Sequence, residues 1–134
     1  MYNDKATKKE RGKYMDCGTI STFRSLQQQA IRQQYNEIYA HELAHKNAAG
    51  TLAGSIVIER DSNGMPIGGH VSIQMPVLDR EHPGKTIDHA NVVIKSALAP
   101  SDPSSQDYKV AAQAKSIKAQ AEDIQRQNKL DYYA

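Results

Sequence analysis

The stretch from Ser21 to Ala49 constrains the fold of this chain most strongly, because it contains neither glycine nor proline. Ser21 or Thr22 can cap a helix at its start. Gly50 is a natural stop at its end, since glycine readily takes the left-handed backbone conformation that closes a helix. Apolar side chains recur inside the stretch at helical spacing. The sequence therefore predicts one long helix that ends at about Ala49.

This helix carries the sequence His41-Glu42-Leu43-Ala44-His45 near its C-terminal end. Residues four apart are separated by only about 40° around a helix axis, so His41 and His45 lie one above the other. Two imidazoles in that arrangement can bind one metal ion, and Glu42 beside them can accept a proton from a zinc-activated water. The spacing is typical of a zinc-hydrolase active site. An amphipathic helix with two surface histidines is the alternative interpretation.

The remaining residues predict a β-hairpin followed by two helices. Gly54–Arg60 predicts a strand, Asp61-Ser62-Asn63-Gly64 a tight turn, and about Ile67–Met75 the return strand. Thr86 can cap a second helix that runs to about Leu98. A third helix is predicted from Pro103 to about Leu130, because proline is favoured at the first helical position. We therefore predict an α+β fold in which the long helix packs against the hairpin and the two C-terminal helices.

Composition limits the size of the protein and its partners. A chain of 134 residues with 39% hydrophobic residues suits one domain, so we predict a flexible N-terminal arm over residues 1–18 and a single domain over 19–134. The net charge of +2, from 17 basic and 15 acidic residues, argues against nucleic acid as a partner. No apolar run predicts a membrane span and no signal peptide is visible, so a soluble, cytoplasmic protein is the default expectation. The sequence predicts no oligomeric state.

A catalytic zinc site needs a third protein ligand besides His41 and His45, and an open position for water. His70 lies on the return strand after two glycines, which allow close backbone approach or a bulge that re-aims a side chain. Against ligation, His70 shares its strand face with Ser72 and Gln74, which is the polar face. A solvent-facing His70 is therefore the alternative.

Other residues offer further ligands. His82 lies in a loop next to Pro83, and His89 lies on the second predicted helix. Asp107 is one turn into the third helix, where it can stabilise the helix N-terminus, bind the metal or orient a histidine ring. Cys17 is the only cysteine, so no intrachain disulfide can form. A thiolate from the N-terminal arm in the open zinc position would hold such an enzyme latent.

Taken in order along the chain, these motifs resemble those of the SprA-related family, and the resemblance covers about residues 38–122. The matching segments are Ala40–His45, Ala48–Gly50, Asp61 with Gly64, Gly68–Val71, Ala97–Asp107 and Val110–Ala112. The family usually has glutamate where this chain has His70, and both side chains can ligate zinc. The resemblance implies a compact, zincin-like metalloprotease with zinc as its cofactor and position 70 as a ligand.

We therefore expect a zinc-dependent metallopeptidase that acts on a peptide or protein substrate. His41, His45 and His70 are the predicted zinc ligands. Glu42 would take the proton as water attacks the peptide carbonyl, then deliver it to the leaving amine. Tyr39 or Tyr108 can stabilise the developing oxyanion. Two alternatives stay open: a catalytically inactive zinc-binding or protein-interaction module of the same fold, and a helical protein whose histidines bind no metal.

Overall fold

The computed structural model describes residues 17–134, in which the helices and strands follow the predicted order. They are helix α1 (Cys17–Ala49), a 3₁₀ turn (Gly50–Leu52), strands β1 (Ala53–Arg60) and β2 (Pro66–Ile73), and helices α2 (Pro83–Ala97) and α3 (Ser105–Tyr133). The two strands pair antiparallel into a single sheet. The predicted α+β fold, with one long helix, a hairpin and two C-terminal helices, is confirmed.

Helix α1 begins earlier than predicted. Cys17 and Gly18 are already helical, whereas the rest of the predicted arm, residues 1–16, lies outside the described residues. The Thr22 hydroxyl donates to the Gly18 carbonyl at 2.9 Å, one turn back, so it bonds within the helix and is not a cap. Gly50 takes a φ of 59°, which ends α1 at the predicted position. None of the helices within residues 17–134 has a stretch long and apolar enough to cross a membrane.

The hairpin turn is held by Asp61. Its Oδ1 accepts hydrogen bonds from the backbone N–H groups of Asn63 and Met65, each at 2.9 Å. The backbone N–H of Gly64 donates to the Asp61 carbonyl at 3.1 Å. Gly64 has a φ of 81°, a backbone conformation that residues with a Cβ atom rarely adopt. The predicted turn is confirmed, and it sets the register that positions β2.

One face of the sheet packs against α1 and the other is exposed. The half-buried apolar side chains on the packed face are Ile56, Ile58, Val71 and Ile73. Gly69 lies on this face at a point of close approach, where a Cβ atom would be 2.8 Å from Ile38 Cγ2 and 3.0 Å from Glu42 Cγ. Glycine at position 69 therefore lets β2 contact α1 directly beside Glu42.

Helices α2 and α3 pack closely because their contact surface is built from small side chains. The buried apolar residues along the two helices, after Pro83 at the start of α2, are Ala90, Val93, Ala97, Ala111, Ala114 and Ala121. Side chains of this size let the two backbones approach. The packing brings the first turn of α3 and the end of α2 beside the C-terminal third of α1.

Both C-terminal helices start away from the predicted residue. Helix α2 begins at Pro83, three residues before Thr86. The Thr86 hydroxyl donates to the Val77 carbonyl and accepts from the Asp79 N–H, each at 2.9 Å, so it fixes the preceding loop instead of capping the helix. Helix α3 begins at Ser105, two residues later than predicted, because Ser104 is its N-cap.

Candidate metal centre

Two histidines from α1 and one aspartate from α3 converge on a single point. The Nε2 atoms of His41 and His45 are 3.2 Å apart, and Asp107 Oδ2 lies 3.2 Å from the first and 3.3 Å from the second. Ligand atoms at zinc-binding distance in a tetrahedral site are about 3.3 Å apart. The three atoms therefore have the mutual spacing of three ligand atoms in a tetrahedral zinc site. We call His41, His45 and Asp107 the metal group.

The ring of His45 is held in one orientation by helix α2. Its Nδ1–H donates to the backbone carbonyl of Ser96 at 2.7 Å, since a carbonyl can only accept. In the neutral ring this leaves a lone pair on Nε2, the atom that faces His41 and Asp107. The Ser96 hydroxyl in turn donates to the His45 carbonyl at 2.7 Å. Both residues are buried. A hydrogen bond from the second ring nitrogen to a carbonyl is usual for metal-binding histidines.

Asp107 is fixed by the N-terminus of its own helix. The Ser104 backbone N–H donates to Asp107 Oδ2 at 2.8 Å, and the Asp107 N–H donates to Ser104 Oγ at 3.1 Å, which completes a capping box. Burial raises the pKa of Asp107, but the hydrogen bonds from Ser104 and the neighbouring charges of His45 and His41 lower the pKa more, so it falls below its ordinary value. A carboxylate that stays ionised can cap the helix and face a cation at once.

Glu42 and the metal group open onto one cavity of about 410 Å³. Its other lining residues are Gly69, His70, Val71, Ile73, Met75, Ala97, Ser104, Gln106, Val110 and Gln113. Glu42 is only 7% exposed. Nothing in residues 17–134 makes a hydrogen bond or ion pair with its side chain, and no enclosed side-chain oxygen there lacks a partner. The Glu42 carboxylate must therefore reach the water of the cavity.

His70 borders the same cavity but lies outside the metal group. It projects from the exposed face of the sheet, where its Nδ1 lies 3.3 Å from Glu59 Oε1. The alternation of β2 explains this orientation, because Gly69 points towards α1 and its neighbour must point away. This position matches the solvent-facing alternative that the alternation of the strand predicts. Zinc ligation by His70 stays a prediction.

The other residues singled out from the sequence lie elsewhere. His82 Nδ1 lies 3.5 Å from Asp79 Oδ2, and His89 Nε2–H donates to the Gln74 carbonyl at 2.7 Å. Neither histidine belongs to the metal group or lines its cavity.

The tyrosines proposed as oxyanion donors do not line the cavity either. Tyr39 is 37% exposed and stacks on Tyr35, and Tyr108 is 57% exposed. Cys17 precedes His41 by 24 residues of one helix, so at about 1.5 Å per residue their backbones are roughly 36 Å apart. The backbone of Cys17 therefore lies far from the metal group of its own chain, and latency through its thiolate stays a prediction.

The sequence gives no indication that Ser96 belongs to the site. No local pattern marks it, since it contacts His45 across 51 positions of sequence. For Asp107 a signal was present: Ser104 three residues before it forms the capping-box pattern, which fixes the carboxylate in place. What the pattern could not show is that the capped end of α3 lies against α1.

Comparison with known proteins shows a family match that covers nearly the whole chain. The model of the SprA-related family matches residues 5–130. The matched range includes every residue of the metal group and of the cavity wall. No curated protein and no solved structure matches the chain.

Proposed function

The chain belongs to the SprA-related family, and on that premise we propose that it is a zinc-dependent metallopeptidase. The observation that carries this proposal is the triangle of His41 Nε2, His45 Nε2 and Asp107 Oδ2, with edges of 3.2–3.3 Å, beside the buried carboxylate of Glu42. Two imidazoles and one carboxylate are a ligand set used by catalytic zinc. In this proposal Asp107 is the third ligand, in preference to His70.

The number of ligands supports a catalytic site over a structural one. Structural zinc sites are closed by four protein ligands, whereas catalytic sites keep one position open. No fourth histidine, cysteine or acidic residue joins the metal group within residues 17–134. The group lies on a cavity wide enough to admit part of another molecule. A substrate carbonyl can therefore approach the open position.

Zinc held by this group would supply a Lewis acid for the substrate carbonyl and would lower the pKa of an attacking water. Glu42 then has the role of general base. Its carboxylate is buried but opens on the cavity, and no described partner competes for its oxygens. Glu42 accepts the proton from the attacking water and returns it to the leaving amine. The Ser96 carbonyl keeps the His45 ring turned so that Nε2 faces the metal position.

A substitution of Glu42 tests this proposal. Zinc-loaded wild-type protein is expected to cleave a diverse library of short peptides. Glu42→Gln keeps the size of the side chain but removes the base, so it should retain zinc and lose activity by about 100-fold or more. Glu59→Gln is a matched control, since Glu59 is exposed and outside the cavity. Full activity of Glu42→Gln would contradict the role of Glu42. Stoichiometric zinc in a wild-type protein that cleaves nothing would favour the inactive zinc module instead.

A further inference from the structure

The cavity beside the metal group follows the free edge of β2. Gly69 and Val71 point to one face of the sheet and His70 to the other, yet all three line the cavity. Successive residues of a strand can border one space only where that space lies along the edge of the strand. Strand β1 pairs with the opposite edge, and no other strand of residues 17–134 pairs with β2. Backbone N–H and C=O groups on this edge therefore lack a strand partner.

Part of the cavity wall is apolar. Val71 and Ile73 come from β2, Met75 from the segment after it, and Val110 from α3, and all four are half-buried. The acidic residues that line the cavity, Glu42 and Asp107, lie at the metal end, and no lysine or arginine lines it. An uncharged, apolar side chain would thus fit this wall without burying an unpaired charge.

We propose that the cavity takes an extended peptide segment that adds to β2 as a third strand and inserts an apolar side chain against Val71, Ile73 and Val110. The proposal rests on the peptidase function proposed above and names its substrate class: extended, unstructured segments with an apolar residue beside the scissile bond. Main-chain hydrogen bonds to β2 supply affinity, and the apolar wall supplies selectivity. Helical segments are excluded, because their backbone groups are already paired.

Binding to a protein that cannot turn over tests this inference separately from catalysis. The probes are fluorescein-labelled ten-residue peptides of glycine and serine with one central leucine or one central aspartate. Zinc-loaded, full-length Glu42→Gln protein is expected to bind the leucine peptide about tenfold or more tightly than the aspartate peptide, given what burial of a leucine contributes. Methylation of alternate backbone amides, in both possible phases, should weaken binding of the leucine peptide about tenfold in at least one phase, because it removes strand pairing.

A pair of isoleucines on β2 provides matched variants. Ile73→Ser, in the cavity wall, should reduce the preference for leucine to about threefold or less, whereas Ile67→Ser should leave it intact, since Ile67 is 62% exposed and outside the cavity. Equal binding of the leucine and aspartate peptides, or binding that neither methylation pattern weakens, would overturn the proposal. Selective binding without cleavage by the wild type would support the peptide site and contradict the peptidase. Cleavage by the wild type without preference for apolar residues would support the peptidase and contradict the peptide site.

Discussion

His45 and Ser96 are joined by two hydrogen bonds of 2.7 Å that run in opposite directions. The ring of His45 donates to the Ser96 carbonyl, and the Ser96 hydroxyl donates to the His45 carbonyl. Neither residue is more than 5% exposed. The pair connects the end of α1 to the end of α2 and leaves His45 Nε2 facing His41 and Asp107. The orientation of one proposed zinc ligand thus depends on a helix that contributes no ligand itself.

Replacing Ser96 by alanine should loosen this connection without removing the carbonyl that orients His45. We expect the free energy of unfolding to fall by about 1 kcal/mol, since one buried hydrogen bond is lost. Zinc affinity should fall about tenfold, because the support of a ligand ring is weakened. Urea denaturation and competition with a chelator measure the two effects. Ser116→Ala, at an exposed position of α3, is the control. Unchanged zinc affinity in Ser96→Ala would contradict this role.

Substitutions of Asp107 can separate its role as a zinc ligand from its role in capping α3. Asp107→Ala should weaken zinc binding roughly 100-fold or more and destabilise the protein by about 1 kcal/mol through loss of the helix cap. Asp107→Asn can still accept the Ser104 N–H, so it should recover most of the stability but little of the zinc affinity. Chelator competition and urea denaturation follow both variants.

His70→Ala is the matched control for the third ligand. It should bind zinc as the wild type does, because the His70 side chain lies on the exposed face of the sheet and faces Glu59. If His70→Ala loses zinc while Asp107→Ala keeps it, position 70 is the third ligand and the proposed metal group is wrong.

Two adjacent glycines of β2 test the contact between the hairpin and α1. A Cβ atom at position 69 would lie 2.8 Å from Ile38 Cγ2 and 3.0 Å from Glu42 Cγ, whereas one at position 68 meets only Glu59 Oε2 at 3.8 Å. Gly69→Ala is therefore expected to destabilise the protein by about 1–3 kcal/mol through overpacking. Gly68→Ala should be tolerated. Comparable urea midpoints for the two variants would show that β2 does not approach α1 this closely.

Local sequence signals predicted the helices and strands of the fold well. They did not distinguish a threonine that caps a helix from one whose hydroxyl forms another hydrogen bond. Gly50 and Gly64 have the positive φ values that their places in the sequence predicted. The sequence predicts Ser21 or Thr22 as one helix cap and Thr86 as another. The Thr22 hydroxyl instead bonds inside the helix, and the Thr86 hydroxyl bonds across a loop. A threonine hydroxyl can make each of these bonds, and only the surrounding backbone decides which one forms.

The site was predictable only in part, because the places of Asp107 and Ser96 in it depend on contacts distant in sequence. His41, Glu42 and His45 follow from spacing on one helix. The position of Asp107 depends on how α3 packs against α2 and how α2 packs against α1, which the neighbours of Asp107 in sequence do not encode. For His70 the alternation of the strand favoured a solvent-facing side chain, whereas the family resemblance favoured a ligand. The structure has the side chain on the exposed face.

Zinc content tests the central claim most directly. Wild-type protein purified in zinc-containing buffer, dialysed against zinc-free buffer and measured by elemental analysis should retain about one zinc per chain. The double variant His41→Ala, His45→Ala should retain less than about a tenth as much, while His82→Ala, a control outside the metal group, should match the wild type. Less than about a tenth of a zinc per wild-type chain would contradict the account.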